Sequence, residues 1–331
     1  KKRKRTGDQS TVIQTDQEGL PRPGLYTIDQ VKHLSRIREA RIIGADPGKR
    51  ELLVCADIDD VPDASTLKHQ KVNNVRYTSA QRRTETLVHV HAKLEAAEIP
   101  DMLAAAKSEM ATFCSRSSRL ETLVSYFQCR RQTLSDALAH YGMLKYRKRA
   151  WSRFVRTQKS LTDFVRRIRG MSKEGSPMVL AYGSWGGVAG RPGAACNRGC
   201  PSCPGIGLRK KLSHHFIIVN TPEQYTSKTC SACGALCGPC KEIDALRRSH
   251  RIATATTERA KEKAKHFSVR GLRRCNNAAC AIFHNRDYNA AVNIGIRCKS
   301  LLLTGRDALP DHSSPEDEEL NRLTAEVADR F

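Results

Sequence analysis

Two strings decide how this chain is read: Thr-Pro-Glu-Gln-Tyr-Thr-Ser-Lys-Thr-Cys-Ser-Ala-Cys-Gly (221–234) and Arg-Arg-Cys-Asn-Asn-Ala-Ala-Cys-Ala-Ile-Phe-His-Asn-Arg-Asp-Tyr-Asn-Ala-Ala-Val-Asn-Ile (273–294). Cys230-x2-Cys233 and Cys275-x4-Cys280 have the form of a four-thiolate zinc ribbon, in which each knuckle delivers two ligands to a tetrahedral ion. Gly234 follows the first knuckle, where a tight turn favours a residue without a Cβ. Four cysteines leave no open coordination position, so the Zn2+ is structural. One acid, Glu223, stands just ahead of the ribbon and another, Asp287, just behind it.

The rest of the chain supplies a strongly basic setting. Its 331 residues carry 57 Lys+Arg against 34 Asp+Glu, a formal charge of +23. Such an excess repels itself unless a polyanion neutralises it, which favours a nucleic-acid partner over a small-molecule substrate. No run of ~20 apolar residues crosses a bilayer, and no apolar signal segment follows the basic start. The 13 cysteines cluster in C-x-x-C-type pairs, which points to metal ligation in a reducing compartment rather than to a disulfide framework. Cys55, Cys114, Cys129 and Cys298 stand alone in apolar stretches and are expected as buried thiols. Cys200-x2-Cys203 and Cys237-x2-Cys240 are further knuckles, and a second zinc bound by these four is an alternative.

Taken in order, the pattern divides the chain into seven parts. Residues 1–30 form a basic, flexible start, in which Lys1–Arg5 is a nuclear-import patch, a phosphate-binding arm or a plain solvated run. Residues 31–78 hold three strands. Arg41-Ile-Ile-Gly-Ala-Asp46 ends at Pro47-Gly48, Glu51–Ala56 follows as a hairpin partner, and a third strand lies around Val72–Tyr77. Asp46 is there either a turn residue or the first acid of a site. Residues 79–175 read as a helical insertion, with a capping box at Ser118–Glu121 and apolar Leu120, Leu123, Val124, Phe127, Leu134 and Leu138 at helical spacing. The helix Leu144–Arg169 is Lys/Arg-rich, with Asp163 its sole acid. Trp151, Phe154, Val155, Leu161, Phe164, Val165 and Ile168 are its apolar stripe, expected to be core rather than a platform for bases. Residues 176–229 add strands at Pro177–Tyr182 and His214–Asn220. The ribbon spans 230–282, a last helix 283–304, and an acidic tail 305–331.

Phosphodiester hydrolysis with two Mg2+ ions needs hard oxygen ligands, one of them shared between ions ~3.5–4 Å apart. Asp46, Glu223 and Asp287, at strand ends and a helix start, are the candidate ligands. Arg147, Lys148, Arg149, Arg153 and Arg156 on the basic helix, with Arg209, Lys210, Lys211, Lys228 and Arg286, are the candidate phosphate contacts.

Four strings resemble those of the Fanzor proteins, the eukaryotic relatives of TnpB: Ile43-Gly-Ala-Asp46-Pro-Gly48, Arg76-Tyr-Thr-Ser-Ala-Gln-Arg82, Tyr225–Gly234 and Asn285-Arg-Asp287-Tyr-Asn-Ala-Ala-Val-Asn-Ile294. The resemblance implies an α/β fold: an RNase H-like (RuvC) mixed sheet with a helical insertion and an inserted zinc ribbon. It implies RNA-guided DNA endonuclease activity, with a guide RNA and a target DNA as partners and the nucleus as the compartment. It also implies that Glu223, ahead of the ribbon, replaces an acid that bacterial relatives carry on the strand here spanning Met178–Tyr182. Glu174 is the fallback. The family's wedge and recognition domains come before the first catalytic Asp, whereas only residues 1–45 precede Asp46, so a fragment, a truncated copy or a short version is expected. The alternative function is a non-catalytic zinc-ribbon nucleic-acid-binding protein, a decayed or domesticated transposon product.

Overall fold

Runs of β-branched and apolar residues closed by turn residues become strands, while the long polar stretches between them become helices. In the computed structural model, residues 13–17, 19–48, 50–58, 73–113, 115, 119–172, 177–184, 205–269 and 271–310 are described. They belong to two units, residues 1–77 with 167–331, and residues 78–166. The first opens with β1 (Gly24–Thr27), α1 (Ile28–Val31), α2 (Ser35–Glu39), β2 (Arg41–Asp46), β3 (Glu51–Asp57) and β4 (Asn74–Thr78). The second holds α3 (Ser79–Thr86), α4 (Val88–Glu98), α5 (Asp101–Met110), α6 (Leu120–Gln132), α7 (Leu134–Tyr141) and most of α8 (Leu144–Arg169). The chain then returns to the first unit as β5 (Met178–Ser184), α9 (Gly205–Leu212) and β6 (Ile217–Pro222). It continues as β7 (Cys237–Pro239), α10 (Lys241–Ala253), α11 (Glu258–Lys265), β8 (Leu272–Cys275), β9 (Phe283–Asn285) and α12 (Arg286–Thr304).

The main sheet is mixed, with order β1-β6-β5-β2-β3-β4. β2 and β3 pair antiparallel, while β1, β6, β5 and β2 run parallel. Ile42, Val179, Ala181, Ile217 and Val219 project from one face and pack with Ile294, Cys298 and Leu302 of α12. Ile43, Ala45, Leu180 and Ile218, which alternate with them, are buried as well. Each buried Val, Leu or Ile side chain contributes ~1.5–3 kcal/mol. Parallel strands buried on both faces read as near-continuous apolar runs, which is why β2, β5 and β6 stand out in the sequence.

α12 approaches β2 unusually closely. A Cβ added to Gly44 would lie 1.8 Å from the Ala291 carbonyl oxygen and 2.8 Å from the Gly295 nitrogen. Backbone meets backbone here, so only glycine fits at position 44. A second, small sheet has the order β7-β8-β9 and lies within the stretch expected to be the ribbon.

Two expectations are corrected. β1 lies within the stretch expected to be flexible, yet it pairs with β6 as an edge strand. At four residues it is too short to give a periodic signal. The helical unit ends at residue 166 rather than 175. Residues 1–12, Ser118 and the tail beyond residue 310 lie outside the described residues.

In the helical unit, Glu98 on α4 accepts Arg149 through Nη1 and Nη2 at 3.0 and 2.6 Å, and pairs with Lys145 at 2.9 Å. Tyr146 and Ser160 are buried on that side of α8. This clamp turns the opposite side outward, so Trp151, Phe154 and Val155 are exposed, and of the expected stripe Phe164, Val165 and Ile168 are buried. Leu120, Val124, Phe127, Leu134 and Leu138, which recur at helical spacing, are exposed too. Helical spacing defines a stripe but does not supply the element that covers it.

Candidate active site and thiolate centre

Asp46 ends β2, two residues beyond Gly44 and on the same face of the sheet. Asp287 lies one helical turn before Ala291, which Gly44 touches. From that contact both acids lie ~6 Å along their elements toward the same end, β2 running into it and α12 out of it. The close crossing therefore sets the two carboxylates against each other. Asn285 caps α12, its Oδ1 accepting from the Asp287 and Tyr288 N–H groups at 3.1 and 3.0 Å.

Glu223 follows β6 directly. A Cβ at Gly183, on the neighbouring β5, would meet Glu223 Oε2 at 2.6 Å. The missing side chain at Gly183 thus leaves the space that the Glu223 carboxylate fills, over a strand that carries no acid of its own. Arg297 holds the backbone on either side of Glu223, donating from Nη1 to the Pro222 and Gln224 carbonyls at 3.0 and 2.8 Å. Glu223's own carbonyl accepts from Thr226 Oγ1 at 2.8 Å.

The electrostatics match this convergence. Burial first, then the charges of Glu223 and Asp287, push the Asp46 carboxyl well above its ordinary range, against the lowering effect of Arg286. Burial raises Glu223 to about 7. Glu223 Oε2 and Arg286 Nε are buried without hydrogen-bond partners. Crowded acids with an unpartnered oxygen form a donor set for hard divalent cations. Their oxygens do not all lie within 4.8 Å of one another, the spread that groups the thiols. Two ions ~4 Å apart take ligands over a wider span. Glu174 lies outside the described residues.

The thiols of Cys230, Cys233, Cys275 and Cys280 lie within 4.8 Å of one another. Cys230 and Cys280 Sγ are 3.8 Å apart, and Cys233 and Cys275 Sγ are 3.5 Å apart. Tetrahedral zinc with ~2.3 Å bonds to sulfur sets ligand atoms ~3.8 Å apart, so the four fit it. Gly234, with φ +73°, makes the left-handed turn behind the first knuckle.

Sequence reasoning did not assign Cys237 and His284 to this centre. β7 pairs with β8 so that Cys237 sits opposite Cys275, and His284 Nε2 lies 3.1 Å from Cys230 Sγ. Hydrogen bonds from Cys237 and then His284 hold the Cys230 thiol far below its usual range, and the same contact raises Cys237. Among the described residues Cys237 groups with Cys230 and His284, and Cys240 joins no ligand group. Cys200 and Cys203 lie outside the described residues. Cys55, Cys129 and Cys298 are buried thiols, as expected, and Cys114 is not described.

Asn289, Asn293 and Arg297 were missed as well. They recur every four residues along one side of α12 and are buried. Asn289 and Asn293 both donate through Nδ2 to the Thr229 carbonyl at 2.7 Å, and Ser231 N–H donates to Asn289 Oδ1 at 3.0 Å. Together with Arg297 they staple the segment bearing Glu223 and the first knuckle to the helix bearing Asp287. Their partners are mostly backbone carbonyls, which leave no mark in a sequence. The polar repeat at i, i+4 and i+8 within an apolar helix was the available signal.

Of the candidate phosphate contacts, Arg147, Lys148, Arg156, Lys210, Lys211 and Lys228 are exposed. Arg149 pairs with Glu98, and Arg153 is half-buried. Arg209 donates to Asn220 Oδ1 at 3.1 Å. Lys228 Nζ lies 5.3 Å from the Tyr225 ring centroid, and Arg286 Nε lies 3.8 Å from Asp287 Oδ1.

Residues 208–294 match a family model described as Cas12f1-like, TNB domain. No curated protein matches the chain. A solved structure described as the Cas12f1-sgRNA-target DNA complex is similar at 16% identity and a TM-score of 0.27. The similarity covers 83% of this chain and 40% of that one, so the chain spans well under half of that protein's length.

Proposed function

We propose that this chain is the nuclease portion of an RNA-guided DNA endonuclease of the Fanzor kind, which hydrolyses phosphodiesters at a RuvC-like site. The observation that carries this is the meeting of Asp46, Glu223 and Asp287 at one end of the sheet, around an unpartnered Glu223 oxygen. The strand order β4-β3-β2-β5-β6, with β3 and β2 antiparallel and β2, β5 and β6 parallel, supports the RNase H-like reading. The match of residues 208–294 supports the Cas12- and TnpB-like relationship, and through it a guide RNA and a target DNA as partners. The basic balance supports nucleic acid in general. We place the protein in the nucleus on the Fanzor resemblance.

Asp46, Glu223 and Asp287 would hold Mg2+ ions, whose chemistry when bound would be activation of a water and stabilisation of the leaving oxygen. The chain's own residues do the positioning. Gly44 and Gly295 fix the distance between helix and sheet, and Arg297 fixes the backbone at Glu223. Arg286 sets a positive charge beside the acids, where a phosphate would approach. The four thiols would hold a structural Zn2+ that keeps the ribbon closed.

The test is Mg2+-dependent cleavage of DNA matched to the co-purified RNA, by the wild type, Asp46→Ala and Asp287→Ala. Cleavage by the wild type alone is expected. Equal cleavage by all three sinks the site, and wild-type binding without cleavage leaves the non-catalytic reading.

A further inference from the structure

α8 presents a feature that the nuclease site does not use. Trp151 and Phe154 are 66% and 53% exposed, with ring centroids 5.5 Å apart and planes inclined by only 26°. A stacked aromatic pair held out into water is costly to leave uncovered, because large exposed apolar patches mark interaction sites. The pair lies opposite the side of α8 that buries Tyr146 and Ser160, so it belongs to no core of the helical unit.

The surroundings decide what covers it. Arg147 and Lys148 lie one turn before Trp151 and share its face, with Lys159 flanking them two turns on. All three are exposed, and none forms an ion pair among the described residues. The helix's sole acid, Asp163, pairs with Arg166 at 3.1 Å. A protein helix docking here would have to bring acids placed against each of these cations beside its apolar side chains. Single-stranded DNA supplies both parts, phosphates for the cations and unpaired base faces for the rings. A duplex keeps its bases stacked inside, so the rings select an unpaired strand.

We propose that Trp151 and Phe154 form a stacking platform for unpaired bases of a DNA strand, with Arg147, Lys148 and Lys159 holding its phosphates. The inference rests on the nuclease reading for its choice of DNA. It adds a single-strand binding site in the helical unit, separate from the carboxylates.

The experiment uses the full chain and a fluorescein-labelled dT15 oligonucleotide, with binding followed by anisotropy across a salt series. Trp151→Ala with Phe154→Ala is expected to weaken binding by about tenfold or more while leaving the salt slope unchanged. Trp151→Phe retains most affinity and Trp151→Leu does not, which separates stacking from general apolar contact. In a Trp185→Phe background, oligonucleotide quenches Trp151 fluorescence. Circular dichroism melts superimposable on the wild type exclude misfolding, as expected for exposed side chains. Wild-type binding that survives the double substitution unchanged overturns the platform and leaves the nuclease reading intact. So does loss of self-association in place of loss of binding, which would make a second copy of the chain the occupant. Binding of rU15 but not dT15 overturns the choice of DNA. No wild-type binding to any oligonucleotide sinks the nucleic-acid reading, and this inference with it.

Discussion

Strands β2, β3, β5 and β6 bury nearly every apolar residue they carry, whereas the helices α4 to α8 expose Val88, Leu94, Leu120, Phe127, Leu138 and Trp151. Most large hydrophobics exposed among the described residues lie in the helical unit. The contrast follows from where each element finds its hydrogen bonds. A strand completes its backbone only by pairing with another, so its neighbours are fixed and its side chains meet helices laid across the sheet. A helix completes its backbone internally and tolerates an apolar stripe with nothing against it. The sheet unit is finished by its own sequence, while the helical unit presents surface for something else.

The strongest way to break this comparison is to strike each unit where it should be weakest and strongest. Gly44→Val drives side-chain atoms into the α12 backbone. It should cost about 3 kcal/mol or more, or abolish cooperative unfolding, as read by thermal melts. Next in size is the ribbon. Cys230→Ser should lower bound zinc from about one ion per chain toward none by mass-spectrometric metal analysis, with a fall in melting temperature. His284→Ala, removing only the partner of that thiol, should weaken zinc retention against a chelator by roughly 10–100-fold.

A smaller effect sharpens the picture of the acids. Glu223 is raised from 4.5 to about 7 in the folded protein. The folded state therefore binds its proton more tightly than the unfolded chain does, and this stabilisation is complete below pH ~4.5 and lost as pH rises through ~7. Metal-free protein should melt at a lower temperature at pH 8 than at pH 5, and Glu223→Gln should flatten that trend. Mg2+ at pH 8 should raise the melting temperature of the wild type but not of Glu223→Gln. At the other extreme, Phe127→Ser and Leu138→Ser should shift stability by no more than about 0.5 kcal/mol. A loss from either that rivals Gly44→Val would show that the helical unit is as closely packed as the sheet.

What could be read from residues alone follows the same division. The runs Arg41–Asp46 and Glu51–Ala56 announced themselves, because strands buried on both faces leave unbroken apolar runs ended by turn residues. The two knuckles were legible because metal geometry imposes a spacing. The place of Glu223 rested on resemblance, since its role depends on space above Gly183, a contact between segments distant in sequence. The outward turn of Trp151 was hidden, because it follows from an ion pair between Glu98 and Arg149 on two different helices. The stripe's periodicity is the same whichever way the helix is rotated.

One junction carries a consequence of its own. β9 passes into α12 without a connecting loop, so His284 at the thiolate centre, the cap Asn285 and Asp287 are nearly consecutive. Each residue advances a helix by about 100°. A single residue inserted or deleted between His284 and Asp287 would swing the carboxylate by that angle, away from Asp46, while every ligand and acid remained present. The junction works as a phase lock: its length, as much as its chemistry, sets whether the thiolate cluster and the three acids can be in register at once.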